Sequence, residues 1–180
     1  AWVGGIFSID NLSRGFHGIE KQWWDYYSQK FESPRVLLVS ETNKTKEQFN
    51  NFYPNWNITT INLFTDLNKS TSDLVADICN EELENTYDLI INQATLEHVY
   101  NPFNTMKNMC GALNVGGYLI THTCAQMFPY HQYPRDYFRF MIDWWHDLPT
   151  YIKNIRLIEL HEDTRFGHVF SCYEKIRRVL

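Results

Sequence analysis

At 180 residues, with 44% hydrophobic and 16% aromatic side chains, the chain is long enough for a full core and too apolar for a disordered one. Its net charge of −5 and lack of a basic stripe leave no strong nucleic-acid signature, and no apolar run is long enough to span a bilayer. The four cysteines, Cys79, Cys110, Cys124 and Cys172, show neither close pairing nor zinc-ligand spacing, which points to reduced thiols and a cytoplasmic setting.

One domain spanning residues 1–180 is expected, with residues 1–33 as a helical extension. Ala1–Ile9 is mildly apolar but short and lacks a basic flank, so it does not read as a signal peptide. Residues 18–31 place Ile19, Trp23, Trp24, Tyr27 and Phe31 on one helical face, which suits packing on a sheet edge or over a pocket; Pro34 marks the end. Arg35–Ser40 is a buried-strand run, and a polar helix follows from Lys44 to about Asn51. Ile58–Leu63 alternates like a second strand, Asp66–Ser72 is a polar loop, and Leu74–Ile78 reads as a short third strand. After a turn at Glu81–Thr86, Leu89–Ile91 is apolar throughout, as in a strand buried on both faces. Pro102 suits a first helical turn, and Phe103, Met106, Met109, Cys110 and Leu113 recur at helical spacing. Gly116-Gly117 is expected to end that helix and feed a strand over Tyr118–Thr121.

Residues 125–140 are crowded with aromatics and carry Pro129 and Pro134, so a structured loop is expected there. Met141–Leu148 reads as a short helix closed by Pro149, and Ile155–Leu160 and Val169–Tyr173 as two strands around a turn at Glu162–Gly167. Together these predict an α/β sandwich: a mostly parallel sheet with a final antiparallel hairpin and helices on both faces. Val36–Val39 and Leu89–Ile91 should be neighbouring parallel strands.

The wording of one stretch is more specific. Tyr-Asp-Leu-Ile-Ile-Asn-Gln-Ala-Thr-Leu-Glu-His-Val from Tyr87, followed by the helix and then Asn-Val-Gly-Gly-Tyr-Leu-Ile, resembles the back half of class I S-adenosylmethionine-dependent methyltransferases of the methyltransferase-11/23-like kind. The resemblance implies a Rossmann-like sheet of seven strands, S-adenosylmethionine as cofactor, and a pocket beyond the carboxyl ends of the strands. Residues at cofactor-binding positions are then Ser40 and Thr42 after the first strand, Asn62 at the ribose, Asp77 and Ile78 beside the adenine, and Asn92 and Gln93 closing the fourth strand. The chain departs from the family in its first loop, Leu38-Val39-Ser40-Glu41-Thr42-Asn43-Lys44: the family's glycines are absent and Leu38 replaces the usual acid. Read from residue chemistry alone, Asp77 also suits a helix cap or a turn.

A second passage, Phe128-Pro129-Tyr130-His131-Gln132-Tyr133-Pro134-Arg135-Asp136-Tyr137-Phe138-Arg139-Phe140, resembles a segment of methyltransferases that act in small-molecule and polysaccharide biosynthesis. That resemblance implies His131 as a general base, Tyr130, Tyr133 and Tyr137 as an acceptor pocket, and Arg139 as an anchor for a carboxylate or phosphate. Asp136 and Arg139, three apart, can equally pair with each other and pin the loop. His98 stands in the family's Leu-Glu-His position, as a catalytic residue or as a loop anchor. Some relatives hold a divalent metal through Glu-x-x-Glu-His; Ala94 occupies the first acidic position here, so no metal is expected. The resulting expectation is a methyltransferase acting on a small-molecule or saccharide-related acceptor. The alternative is a methyltransferase-fold module that has lost its cofactor and serves in binding or scaffolding.

Overall fold

A computed structural model describes residues 18–63, 71–84, 86–132 and 135–177. Seven strands form one sheet: β1 (Arg35–Val39), β2 (Asn57–Asn62), β3 (Leu74–Val75), β4 (Tyr87–Gln93), β5 (Leu113–Cys124), β6 (Ile155–Asp163) and β7 (His168–Lys175). Their order across the sheet is β3-β2-β1-β4-β5-β7-β6. Strands β1 to β5 run parallel, and β7 is antiparallel to both β5 and β6. Val36 pairs with Leu89 and Val39 with Asn92, so the expected parallel neighbours are neighbours.

The helices are α1 (Gly18–Ser28), α2 (Asn43–Phe52), α3 (Pro102–Gly111) and α4 (Ile142–Tyr151). Because successive strand residues face opposite ways, the apolar run of β1 serves two cores. Leu37, Val39, Ile90 and Leu119 pack with Met106 and Met109 of α3 and Trp145 and Leu148 of α4. Val36, Leu38, Leu89 and Ile91 pack on the other face with Trp24 and Tyr27 of α1 and Phe49 of α2. Each Leu or Ile so buried contributes roughly 1.5–3 kcal/mol, which is why uninterrupted apolar runs settle in the middle of the sheet.

Three elements differ from expectation. The third strand has only two residues, because Asp77 draws the chain into a turn: its carboxylate accepts from Cys79 N at 2.9 Å and from Asn80 Nδ2 at 2.6 Å. Helix α3 ends at Gly111, and Gly116-Gly117 lies inside a 12-residue β5. Gly116 has φ +83°, and a Cβ on Gly117 would stand 2.9 Å from the Asp88 carbonyl oxygen, so both glycines serve the β4–β5 pairing rather than a helix cap. Pro149 lies within α4 instead of ending it. A proline there cannot donate to the Trp145 carbonyl, and the Tyr173 hydroxyl takes its place as donor at 2.5 Å.

Candidate functional site

The carboxyl ends of β1, β2 and β4 meet along one edge of the sheet. There the structure has a cavity of about 410 Å³, of the size that small ligands occupy. Its wall includes Ser40, Asn62, Asp77, Ile78, His98 and Tyr137 from the positions singled out in the sequence. Thr42, Asn92, Gln93, Tyr130, His131 and Arg139 are not in that wall, and Tyr133 lies outside the described residues.

The loop after β1 keeps a glycine-like course without glycine. Ser40 has φ +60°, in the left-handed region that normally favours Gly, and Glu41 N bonds the Ile61 carbonyl at 3.3 Å. Ser72 Oγ donates to the Glu41 carbonyl at 2.8 Å, tying the loop to the segment before β3. Burial pushes the Glu41 carboxyl up to about 7, against an opposing hydrogen bond from Thr45.

The opposite wall is held by α3. Asn108 Nδ2 donates to the Ile78 carbonyl at 2.8 Å and Asn104 Nδ2 to the Cys79 carbonyl. Two helical asparagines therefore position the turn 77–80 by its backbone, leaving Asp77 and Ile78 in the cavity wall. Cys79, Tyr100, Asn101 and Arg135 also line it and were not singled out from the sequence. Tyr100 stands two residues after His98 of the Leu-Glu-His run, which was the one sequence signal available for it.

Several buried polar groups lack partners among the described residues: Glu20 Oε1 and Trp24 Nε1 on α1, and both amide atoms of Asn92 at the end of β4. Glu20 is completely buried on α1, and its other oxygen accepts from Gln93 Nε2 at 3.0 Å. Burial raises the Glu20 carboxyl to about 8, Gln93 opposing and Glu41 adding to the shift. Gln93 thus turns towards α1.

The loop after β5 is built differently. All five N–H donors of Arg139 are engaged: Nε with the Phe128 carbonyl at 2.9 Å, Nη1 with Asp136 Oδ1 at 2.5 Å and the Phe138 carbonyl at 2.7 Å, and Nη2 with the Pro129 carbonyl at 2.8 Å and Asp136 Oδ2 at 2.5 Å. Arg139 therefore pins the loop and keeps no donor for a ligand. Burial alone would raise the Asp136 carboxyl, but Arg139 and the His131 backbone N–H outweigh it and hold it at about 2.

Around Glu97, in the short 3₁₀ turn Leu96–His98, four more side chains gather. Its fully buried carboxylate accepts from Thr123 Oγ1 at 2.6 Å and Cys124 Sγ at 3.3 Å. His98 Nε2 and His131 Nε2 stand 3.8 Å and 4.0 Å from Glu97 Oε1. His98 Nδ1 lies 2.5 Å from the Arg135 carbonyl, which can only accept, so Nδ1 is the donor of that bond.

No family model matches the sequence, and no curated protein is similar to it. Solved structures do match. The chain is similar over 93% of its length to 96% of an S-adenosylmethionine-dependent methyltransferase from Clostridium acetobutylicum, with TM-score 0.65 and 11% identity. It has the methyltransferase fold. Over 88% of its length it is similar to 82% of the plantazolicin methyltransferase BpumL in complex with SAH, at TM-score 0.66 and 12% identity. The methyltransferase fold also carries other chemistry: the [4+2]-cyclase SpnF is similar over 89% of this chain and 82% of its own, at TM-score 0.66 and 10% identity. Among the described residues no helix is long and apolar enough to cross a membrane.

Proposed function

We propose that the cavity binds S-adenosylmethionine and that the protein transfers its methyl group to a small acceptor of the metabolite or saccharide class. The observation that carries this reading is the placement of Ser40, Asn62, Asp77 and Ile78 in one cavity wall, at the strand ends where the fold binds ligands. Ser40, with φ +60°, preserves the backbone course that brings N–H groups towards a ligand. Asn62 serves the ribose and Asp77 the adenine amine. Thr42, Asn92 and Gln93, outside the wall, are assigned no contact with the ligand.

Methyl transfer from a sulfonium needs alignment in a dry pocket more than covalent assistance. His98 lines the cavity, with its buried Nε2 turned to Glu97 Oε1 at 3.8 Å, and is assigned as the base for an acceptor that must lose a proton. His131 contacts Glu97 and Asp136 and acts by positioning. Tyr137, edge-on to Tyr100 at a centroid distance of 5.7 Å, offers an aromatic wall at the acceptor end, with Tyr130 exposed on the same loop. Among the structures that share this fold is coclaurine N-methyltransferase bound to N-methylheliamine and SAH, a small-molecule case.

A second reading, a cofactor-free binding module, draws support from Ser40, which puts a Cβ where the family keeps bare backbone. Amide chemical-shift mapping with the demethylated cofactor separates the two. Saturable shifts confined to residues 40, 62, 77 and 78 support the enzyme reading; shifts elsewhere or none support the module.

A further inference from the structure

The cluster around Glu97 is more than a loop anchor. Cys124 Sγ donates to Glu97 Oε1 at 3.3 Å, and His131 Nε2 stands 4.0 Å from the same oxygen. One ligand atom from each of Glu97, Cys124 and His131 lies within 4.8 Å of the others, the scale on which side chains surround one ion. The two imidazoles meet edge-on, 75° apart, and both turn Nε2 towards Glu97. His131 turns Nδ1 towards Asp136 Oδ2 at 3.3 Å, and His98 turns Nδ1 towards the Arg135 carbonyl at 2.5 Å. Each has Nε2 facing Glu97; His98 is oriented by its Nδ1 bond to the Arg135 carbonyl, whereas His131 Nδ1 is only near Asp136, which bonds the His131 backbone N–H instead. His98 Nε2 has no partner among the described residues, its side chain is only 7% exposed, and it is 3.8 Å from Glu97 Oε1.

We propose that Glu97, Cys124 and His131 bind a divalent ion of the zinc type, with His98 Nε2 beside its open fourth position. On binding, the ion replaces the thiol proton that now lies between Cys124 Sγ and Glu97 Oε1; that proton leaves to solvent and Sγ ligates as thiolate. One thiolate and one carboxylate neutralise the two charges of the ion. A thiolate, an imidazole and a carboxylate with an open position favour zinc over magnesium or calcium. This reverses the expectation of no metal, which rested on Ala94; Cys124 lies 27 residues along the chain from Glu97, so no spacing announces it. The inference does not depend on the proposed cofactor.

The test is titration of the tag-free full chain, stripped by chelator, with cobalt(II) and with zinc. One equivalent of cobalt should bind with a thiolate-to-metal charge-transfer band, and zinc should displace it. Cys124→Ser should abolish the band, and His131→Ala should weaken binding at least ~10-fold. His161→Ala, at an exposed position on β6, should change nothing. If Cys124→Ser does not fold, His131→Ala, at a side chain 30% exposed, reports on the ligand set alone. Absence of stoichiometric uptake, or a cobalt spectrum and affinity unchanged in the variants, overturns the proposal.

Discussion

The loops after β1 and β5 meet the same edge of one sheet but are anchored differently, although His131 Nδ1 of the β5 loop is itself without a hydrogen-bond partner among the described residues. After β5, every Arg139 donor and both Asp136 oxygens have partners within the loop itself. Near the loop after β1, Glu20 Oε1, Trp24 Nε1 and the Asn92 amide have none among the described residues, and Ser40 holds a left-handed backbone. Buried polar groups without partners are costly, so a fold keeps them where a ligand repays that cost. The difference teaches where to look for an organic ligand: on the β1 side, against a β5 loop that Arg139 and Asp136 hold rigid.

The sharpest break of this comparison is Arg139→Ala. It leaves Asp136, whose side chain is 1% exposed, charged and unpaired, and should destabilise the protein by about 3–5 kcal/mol in urea unfolding. The stabilisation from Asp136 should also be acid-sensitive. Its carboxyl is held at about 2 against an ordinary 3.8, so the contribution is complete above the ordinary value and disappears as pH falls towards 2. Asp136→Asn should flatten that limb of the stability profile.

On the other side the sign inverts. Glu20 is raised from 4.5 to about 8, so between those values the unfolded chain has lost a proton that the folded chain keeps, and stability falls as pH rises. Glu20→Gln should therefore stabilise at pH 8 by on the order of 2–3 kcal/mol and leave stability at pH 4.5 unchanged. A melting-temperature profile of both proteins checks this. Smaller effects sharpen the ligand side. Asp77→Ala should weaken cofactor binding by on the order of 1 kcal/mol more than Asn62→Ala, because the charged acceptor is the better partner. Ser40→Gly relieves the left-handed strain at φ +60°, should leave stability within ~1 kcal/mol, and should tighten cofactor binding by removing a Cβ from the wall.

The sheet was legible because buried parallel strands read as uninterrupted apolar runs, as in Val36–Val39 and Leu89–Ile91. Where local signals misled, a distant partner decided: the Tyr173 hydroxyl lets α4 continue through Pro149, and the Asp88 carbonyl explains Gly117. Ser40, Asn62, Asp77 and Ile78 were legible as a group because topology alone brings strand ends together. The contact of Gln93 with Glu20, 73 residues apart, and the convergence of Cys124 on Glu97 carry no local signal at all.

The central claim is that the cavity beyond β1, β2 and β4 takes S-adenosylmethionine. Isothermal calorimetry of the full chain with the cofactor and with its demethylated product tests it most directly. The prediction is saturable one-to-one binding with a dissociation constant of ~100 μM or somewhat weaker, or about 5 kcal/mol, because Ser40 and Glu41 replace bare backbone. Low-micromolar binding would show that those side chains do not obstruct the cofactor. No detectable heat at millimolar cofactor would contradict the claim and leave the binding-module reading in its place.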